Sequence, residues 1–177
     1  SKAHRQLQAS MRSEYQKEVR LALRVTVADV PVLLTGRADG IILGEENLLV
    51  DEIKSTTMSL DALFAERELH LGQARCYAHM LLETIEQPPN SVTIQLTYFQ
   101  LDTKEKQIHQ FTHTREEIAE FFCDLLDRYA VWLQYESEWI ATRDQAIRQT
   151  SFPYPAYRKG QRELAVAAYR TIQRKKK

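Results

Sequence analysis

The 177-residue chain predicts an α/β fold in which a central mixed β-sheet is flanked by helices. Three observations carry that expectation. Three alternating apolar segments come first, joined by short turns. A Leu-, Ala- and Glu-rich stretch with a single glycine follows. Two more strand-like segments then precede a long helical run. Strands interrupted by helix and then resumed describe helices layered on a sheet.

Residues 2–12 read as a short helix. Glu14 to Thr26 alternates through Tyr15, Val19, Leu21, Leu23 and Val25, the period of a first strand. Val32 to Leu43 is the second strand, Gly44-Glu45-Glu46-Asn47 the turn, and Leu48 to Ser55 the returning strand. Leu60 to Glu86 is expected to be one helix, stopped by Pro88-Pro89. Ser91–Leu101 and Gln107–His113 form a hairpin around Asp102-Thr103-Lys104-Glu105-Lys106. Thr114 then opens a long helix with Glu117 three positions on, a capping-box pair, and the helix runs through Trp132 and Trp139 to about Gln149. Ser151-Phe152-Pro153-Tyr154-Pro155 breaks the pattern, and a last helix resumes from Arg158.

No apolar run approaches the ~20 residues a bilayer span requires, so no membrane partner is expected. Cys76 and Cys123 are too few for a structural zinc or iron–sulfur site and read as free thiols of a reducing cytoplasm. Net charge is zero but unevenly spread: residues 31–148 hold ten basic and twenty acidic side chains, whereas from Gln149 onward there are eight basic and one acidic. An acidic centre repels nucleic acid unless cations neutralise it.

The chemistry-bearing residues are Asp39, Glu52 and Lys54. A strand points residues i and i+2 to one face, so Glu52 and Lys54 project together, while Leu49, Asp51 and Ile53 take the other face. Asp39 lies on the neighbouring strand, thirteen positions upstream of Glu52. Two carboxylates with a positioned ammonium suit a divalent cation and phosphodiester cleavage. A purely structural Glu52–Lys54 ion pair is the competing reading of these residues alone. The second acid-x-lysine, Asp102-Thr103-Lys104, reads as a turn.

Gly36-Arg37-Ala38-Asp39-Gly40, Asp51-Glu52-Ile53-Lys54-Ser55-Thr56-Thr57 and the pair Gln73 and Tyr77, spaced i, i+4 on the following helix, together resemble the PD-(D/E)XK nuclease superfamily. Within it they are similar to the RecB-type branch, over roughly residues 4–113. The resemblance implies a restriction-endonuclease-like core and a Mg²⁺- or Mn²⁺-dependent nuclease that leaves 5′-phosphate and 3′-hydroxyl ends. It implies Asp39, Glu52 and Lys54 as catalytic residues. Asp39, Glu52 and the Ile53 carbonyl are then expected to hold the metal, with His4, which resembles the branch's first-helix histidine, assisting there or at a second ion. Gln73 and Tyr77 are expected to hold the DNA strand or buttress the site, with Ser55 and Thr56 as candidate phosphate donors to DNA. The substrate the resemblance implies is DNA, single-stranded by expectation.

Phe152 to Leu164 carries a second resemblance, to the segment before the first nucleotide-binding motif of DinG/XPD-like helicases. Phe152 or Tyr154, Arg158 and Gln161 match its nucleotide-binding residues. No Gly-x-x-x-x-Gly-Lys-Thr/Ser occurs in the chain. The expected organisation is therefore a nuclease domain over 1–150, then a linker and the first helix of a truncated helicase domain over 151–177. That describes the nuclease module of a helicase fusion serving DNA repair or processing, with a C-terminal helicase domain as its partner. The alternative is a catalytically inactive nucleic-acid-binding or docking module with a nuclease fold.

Overall fold

The structure is a computed structural model and describes residues 15–151 and 153–174. Five strands form one sheet in the order β1 (Gln16–Val27), β2 (Val30–Leu43), β3 (Asn47–Thr56), β4 (Ser91–Gln100) and β5 (Lys106–Thr114). Neighbours are antiparallel except β3 and β4, which are parallel. The sheet is therefore mixed, as expected, with helices in the β3–β4 crossover. A parallel pair needs such a connection because a tight turn returns the chain in the opposite direction.

Local chemistry explains the joints. Ala28 and Asp29 both take positive φ, 47° and 63°, the two-residue turn that matches strand twist between β1 and β2. Gly44 N–H donates to the Asn47 carbonyl at 2.9 Å and closes the next turn. The second acid-x-lysine is indeed a turn: Thr103 N–H donates to Gln100 Oε1 at 2.8 Å, and Lys104 takes φ 64°.

The single helix expected over Leu60–Glu86 is two, α1 (Leu60–Ala65) and α2 (Arg67–Leu82). Glu66 leaves helical geometry at φ −90°, ψ 8°, and its N–H turns back to the Leu63 carbonyl at 3.1 Å. Ser59 caps α1 through Ala62 N–H. The capping box of α3 (Arg115–Gln149) is reciprocal. Thr114 N–H donates to Glu117 Oε2 at 2.9 Å, and Glu117 N–H to Thr114 Oγ1 at 3.1 Å. The last helix, α4 (Gln161–Gln173), begins three residues later than expected, at a left-handed Gly160.

The chain divides into two compact units, residues 1–134 and 135–177. The core lies in the first, where Leu48, Val50, Val92, Ile94, Leu96 and Tyr98 of the central parallel pair are fully buried. Ala74, Ala78 and Leu81 of α2 and Ile118 of α3 pack onto them. Among the described residues no helix is long and apolar enough to cross a membrane. The expected first helix, residues 2–12, lies outside the described residues.

Candidate active site at the β2–β3 fork

The β2–β3 ladder is short. It runs from Leu43↔Leu48 only to Gly40↔Asp51, whereas β1–β2 and β3–β4 pairing continues well beyond. From Asp39 onward β2 follows β1 away from β3, and the two strands form a fork. Parting leaves backbone donors on β3 without a ladder partner, and a buried N–H must be satisfied. Asp39 Oδ2 accepts the N–H of Ile53 at 2.8 Å, which ties the first carboxylate of the motif to the backbone of the second.

The facing of β2 changes at the same place. Gly36 lies beneath the ring of Tyr77 on α2; a Cβ there would come 2.5 Å from Tyr77 Cε1. Gly40 lies beneath Tyr15, with a Cβ position 1.8 Å from the hydroxyl oxygen. Tyr15 in turn donates to Asp51, on the face of β3 opposite Lys54. Residues four apart on a regular strand share a face, so one step of alternation is lost between the two glycines. The distortion sits at Glu18, φ 54°, whose cross-strand pairing with Asp39 is missing from an otherwise continuous register. Asp39 thus stands where the sheet both splits and turns over.

On β3, Glu52 and Lys54 share the α2 face as their spacing requires. Lys54 Nζ lies 2.6 Å from Glu52 Oε1 and donates to Gln73 Oε1 at 3.1 Å. Gln73 Nε2 donates to the Tyr77 hydroxyl at 2.9 Å. Glu52, Lys54, Gln73 and Tyr77 therefore form one hydrogen-bonded row. Beside it, His70 Nδ1 and the Tyr98 hydroxyl are 2.9 Å apart, Tyr98 being the register partner of Lys54.

Burial sets the electrostatics. Glu52 is 2% exposed, and desolvation pushes its carboxyl up to about 7, against the pull of Lys54 and with the repulsion of Asp39 and Asp51. Asp51 is also raised by burial, although Thr97, Tyr15 and Gln95 donate to it or stand close. Burial lowers His70, helped by the charge of Lys54. The charge of Asp39 raises the proton affinity of both Asp51 and Glu52, so the two buried carboxylates stand in a neighbourhood short of positive charge. A hard cation answers that shortage, and carboxylate oxygens are the donors it prefers.

Of the expected metal ligands, Asp39 meets the Ile53 N–H, not its carbonyl, and its charge acts on Glu52, which pairs with Lys54. Among the described residues no three His, Cys, Asp or Glu side chains gather as a metal-holding cluster. His4 lies outside the described residues. Ser55 is half-buried. Thr56 is buried, and its hydroxyl accepts Met58 N–H at 2.9 Å, a strand-end role rather than a solvent-facing one. In the second unit, Gln161 Oε1 accepts the backbone N–H of Arg158 at 2.8 Å. Both line a concavity of about 370 Å³ with Tyr154, Pro155 and Ala156. Phe152 lies outside the described residues.

Sequence reasoning passed over Tyr15 and Thr97, which with Asp51 make a buried polar chain behind the site. The available signal was Gly36 and Gly40, since glycine inside a strand marks a close approach.

The profile of the PD-(D/E)XK nuclease superfamily matches residues 1–170. The chain belongs to this superfamily. Its members are generally nucleases that typically use divalent metals, and the five-stranded mixed sheet flanked by helices is the restriction-endonuclease-like fold expected of a PD-(D/E)XK protein. No curated protein matches the sequence. Among solved structures, "Crystal structure of SSO0001" is similar at 19% identity and a TM-score of 0.45, over 74% of this chain. The chain spans 57% of that protein's length.

Proposed function

We propose that this PD-(D/E)XK protein is a divalent-metal-dependent DNA nuclease of the RecB-type branch. The observation that carries the reading is the fork, where Asp39 is tied to the β3 backbone one residue from Glu52 while Lys54 stands on the same row. Asp39, Glu52 and the Ile53 carbonyl would hold Mg²⁺ or Mn²⁺, with His4 assisting. Bound there, the cation would polarise the scissile phosphate and lower the pKa of the attacking water.

The protein's own groups supply the rest. Lys54, aimed by Gln73, orients the nucleophile or offsets charge on the phosphoryl oxygens. Tyr77 fixes Gln73, and with it the direction of the ammonium. Gln73, Tyr77, Ser55 and Thr56 are the proposed DNA contacts, Ser55 being better placed than the buried Thr56. The presence of both acids and the lysine at the fork favours an enzyme over an inactive docking module.

The shared concavity of Tyr154, Arg158 and Gln161 supports a nucleotide-binding remnant, and with it a helicase-linked role in DNA repair or processing. Cleavage of plasmid and of end-labelled single strands, with Mn²⁺, with Mg²⁺ and with EDTA, tests the reading. Metal-dependent cleavage lost in Glu52→Ala, with DNA binding kept, supports it. Full cleavage by Glu52→Ala overturns it.

A further inference from the structure

We infer that the solvent-facing side of the β1–β2 hairpin, bearing Arg20, Arg24 and Arg37, is the surface that carries the phosphate backbone of the nucleic-acid substrate toward the fork. The inference takes its substrate from the nuclease reading above and adds the route.

Beyond the fork the hairpin is an arm with two unlike faces. Leu21, Leu23, Val25 and Leu34 alternate inward, and Tyr77 of α2 closes this side over Gly36. The other side, Arg20, Ala22, Arg24 and Thr26 on β1 with Pro31, Leu33, Thr35 and Arg37 on β2, is exposed throughout. Along β2, Arg37 on this face stands two residues from Asp39, where the strand turns over.

Its charge fits one class of partner. Between Val19 and Arg37 there are three arginines and a single acid, Asp29 in the turn, within a chain whose central region is strongly acidic. Arg20 and Arg37 are direct cross-strand partners. Like charges placed opposite each other in an antiparallel pair oppose folding, and an anion reached by both removes the conflict. Glu18 meets Arg37 at 2.9 Å; among the described residues no carboxylate is in ion-pair reach of Arg20 or Arg24. Planar guanidinium groups match phosphate oxygens in geometry as well as charge.

The test is fluorescence anisotropy of labelled single-stranded and duplex oligonucleotides, in EDTA, across a salt series. Arg20→Ala/Arg24→Ala is compared with wild type and with Arg128→Ala on α3, and folding is checked by circular dichroism. Loss of two phosphate contacts is expected to weaken binding at least tenfold at low salt and to flatten the log–log salt slope by about 1.5. Arg128→Ala is expected to change neither. Unchanged affinity and slope in the folded double variant overturn the arm, as does a wild-type protein that binds no oligonucleotide or prefers polyglutamate. Arm-dependent binding by a protein that cleaves nothing would sustain this inference while removing the nuclease reading.

Discussion

The hydroxyl of Tyr15 donates to Asp51 Oδ2 at 2.8 Å, linking residues 36 positions apart through the space above Gly40. Thr97 Oγ1 donates to the other oxygen at 2.7 Å. Asp51 is wholly buried. Gly40 adjoins Asp39, and Asp51 adjoins Glu52, so this clasp fixes the two backbone positions that present the proposed ligands.

Gly40→Ala is therefore expected to unfold the clasp locally. Its Cβ would occupy the Tyr15 hydroxyl, so the ring must leave and Asp51 loses a donor. Overpacking together with a lost charge-assisted hydrogen bond costs about 3 kcal/mol, a fall in melting temperature of roughly 6–12 °C. Tyr15→Phe, which removes only the donor, is expected to cost about 2 kcal/mol. Thermal and urea unfolding measure both, and a Gly40→Ala protein as stable as wild type would refute the clasp.

On the other face, the Tyr77–Gln73–Lys54 row makes a kinetic rather than a stability expectation. Gly36→Ala presses on the Tyr77 ring, and Tyr77→Phe removes the acceptor of Gln73. Either change lets Lys54 wander from its position. A fall of roughly tenfold in kcat with little change in KM is expected, since positioning rather than substrate binding is lost. An unchanged kcat in Tyr77→Phe would remove Gln73 and Tyr77 from the mechanism.

Glu52 gives a pH signature. Its folded carboxyl is raised from an ordinary 4.5 to about 7, chiefly by desolvation. The folded state holds that proton more tightly, so this contribution to stability is full below about pH 4.5 and is lost as pH rises through 7. Asp51 acts in the same direction, while the lowered His70, His79 and His113 act oppositely as they protonate. Comparison with Glu52→Gln isolates the one group. Without divalent cations the variant is expected to gain stability over wild type between pH 5.5 and 8.5, and Mg²⁺ is expected to narrow that gap. Parallel pH curves for the two proteins would contradict it.

Much of this was legible in the sequence because it follows from spacing. The i, i+2 placement of Glu52 and Lys54 put them on one face, with Asp51 on the other. The i, i+4 placement of Gln73 and Tyr77 put both on the helix face above them. Thr114 and Glu117 announced their capping box three residues apart. What stayed hidden depends on partners distant in sequence or on a break in periodicity. Tyr15 meets Asp51 only because β1 and β2 turn over together at Glu18 and Asp39, and a single positive φ leaves no pattern in apolar alternation. The break at Glu66 is equally silent, since glutamate is a good helix former and only the local backbone bond to Leu63 shows the interruption.

Diffraction from crystals soaked in Mn²⁺, recorded at the manganese absorption edge, tests most directly whether Asp39 and Glu52 share a cation. The expected result is one anomalous peak about 2.1 Å from a carboxylate oxygen of each, lost in Glu52→Gln crystals. Manganese bound elsewhere, with no peak at the fork, would contradict the account.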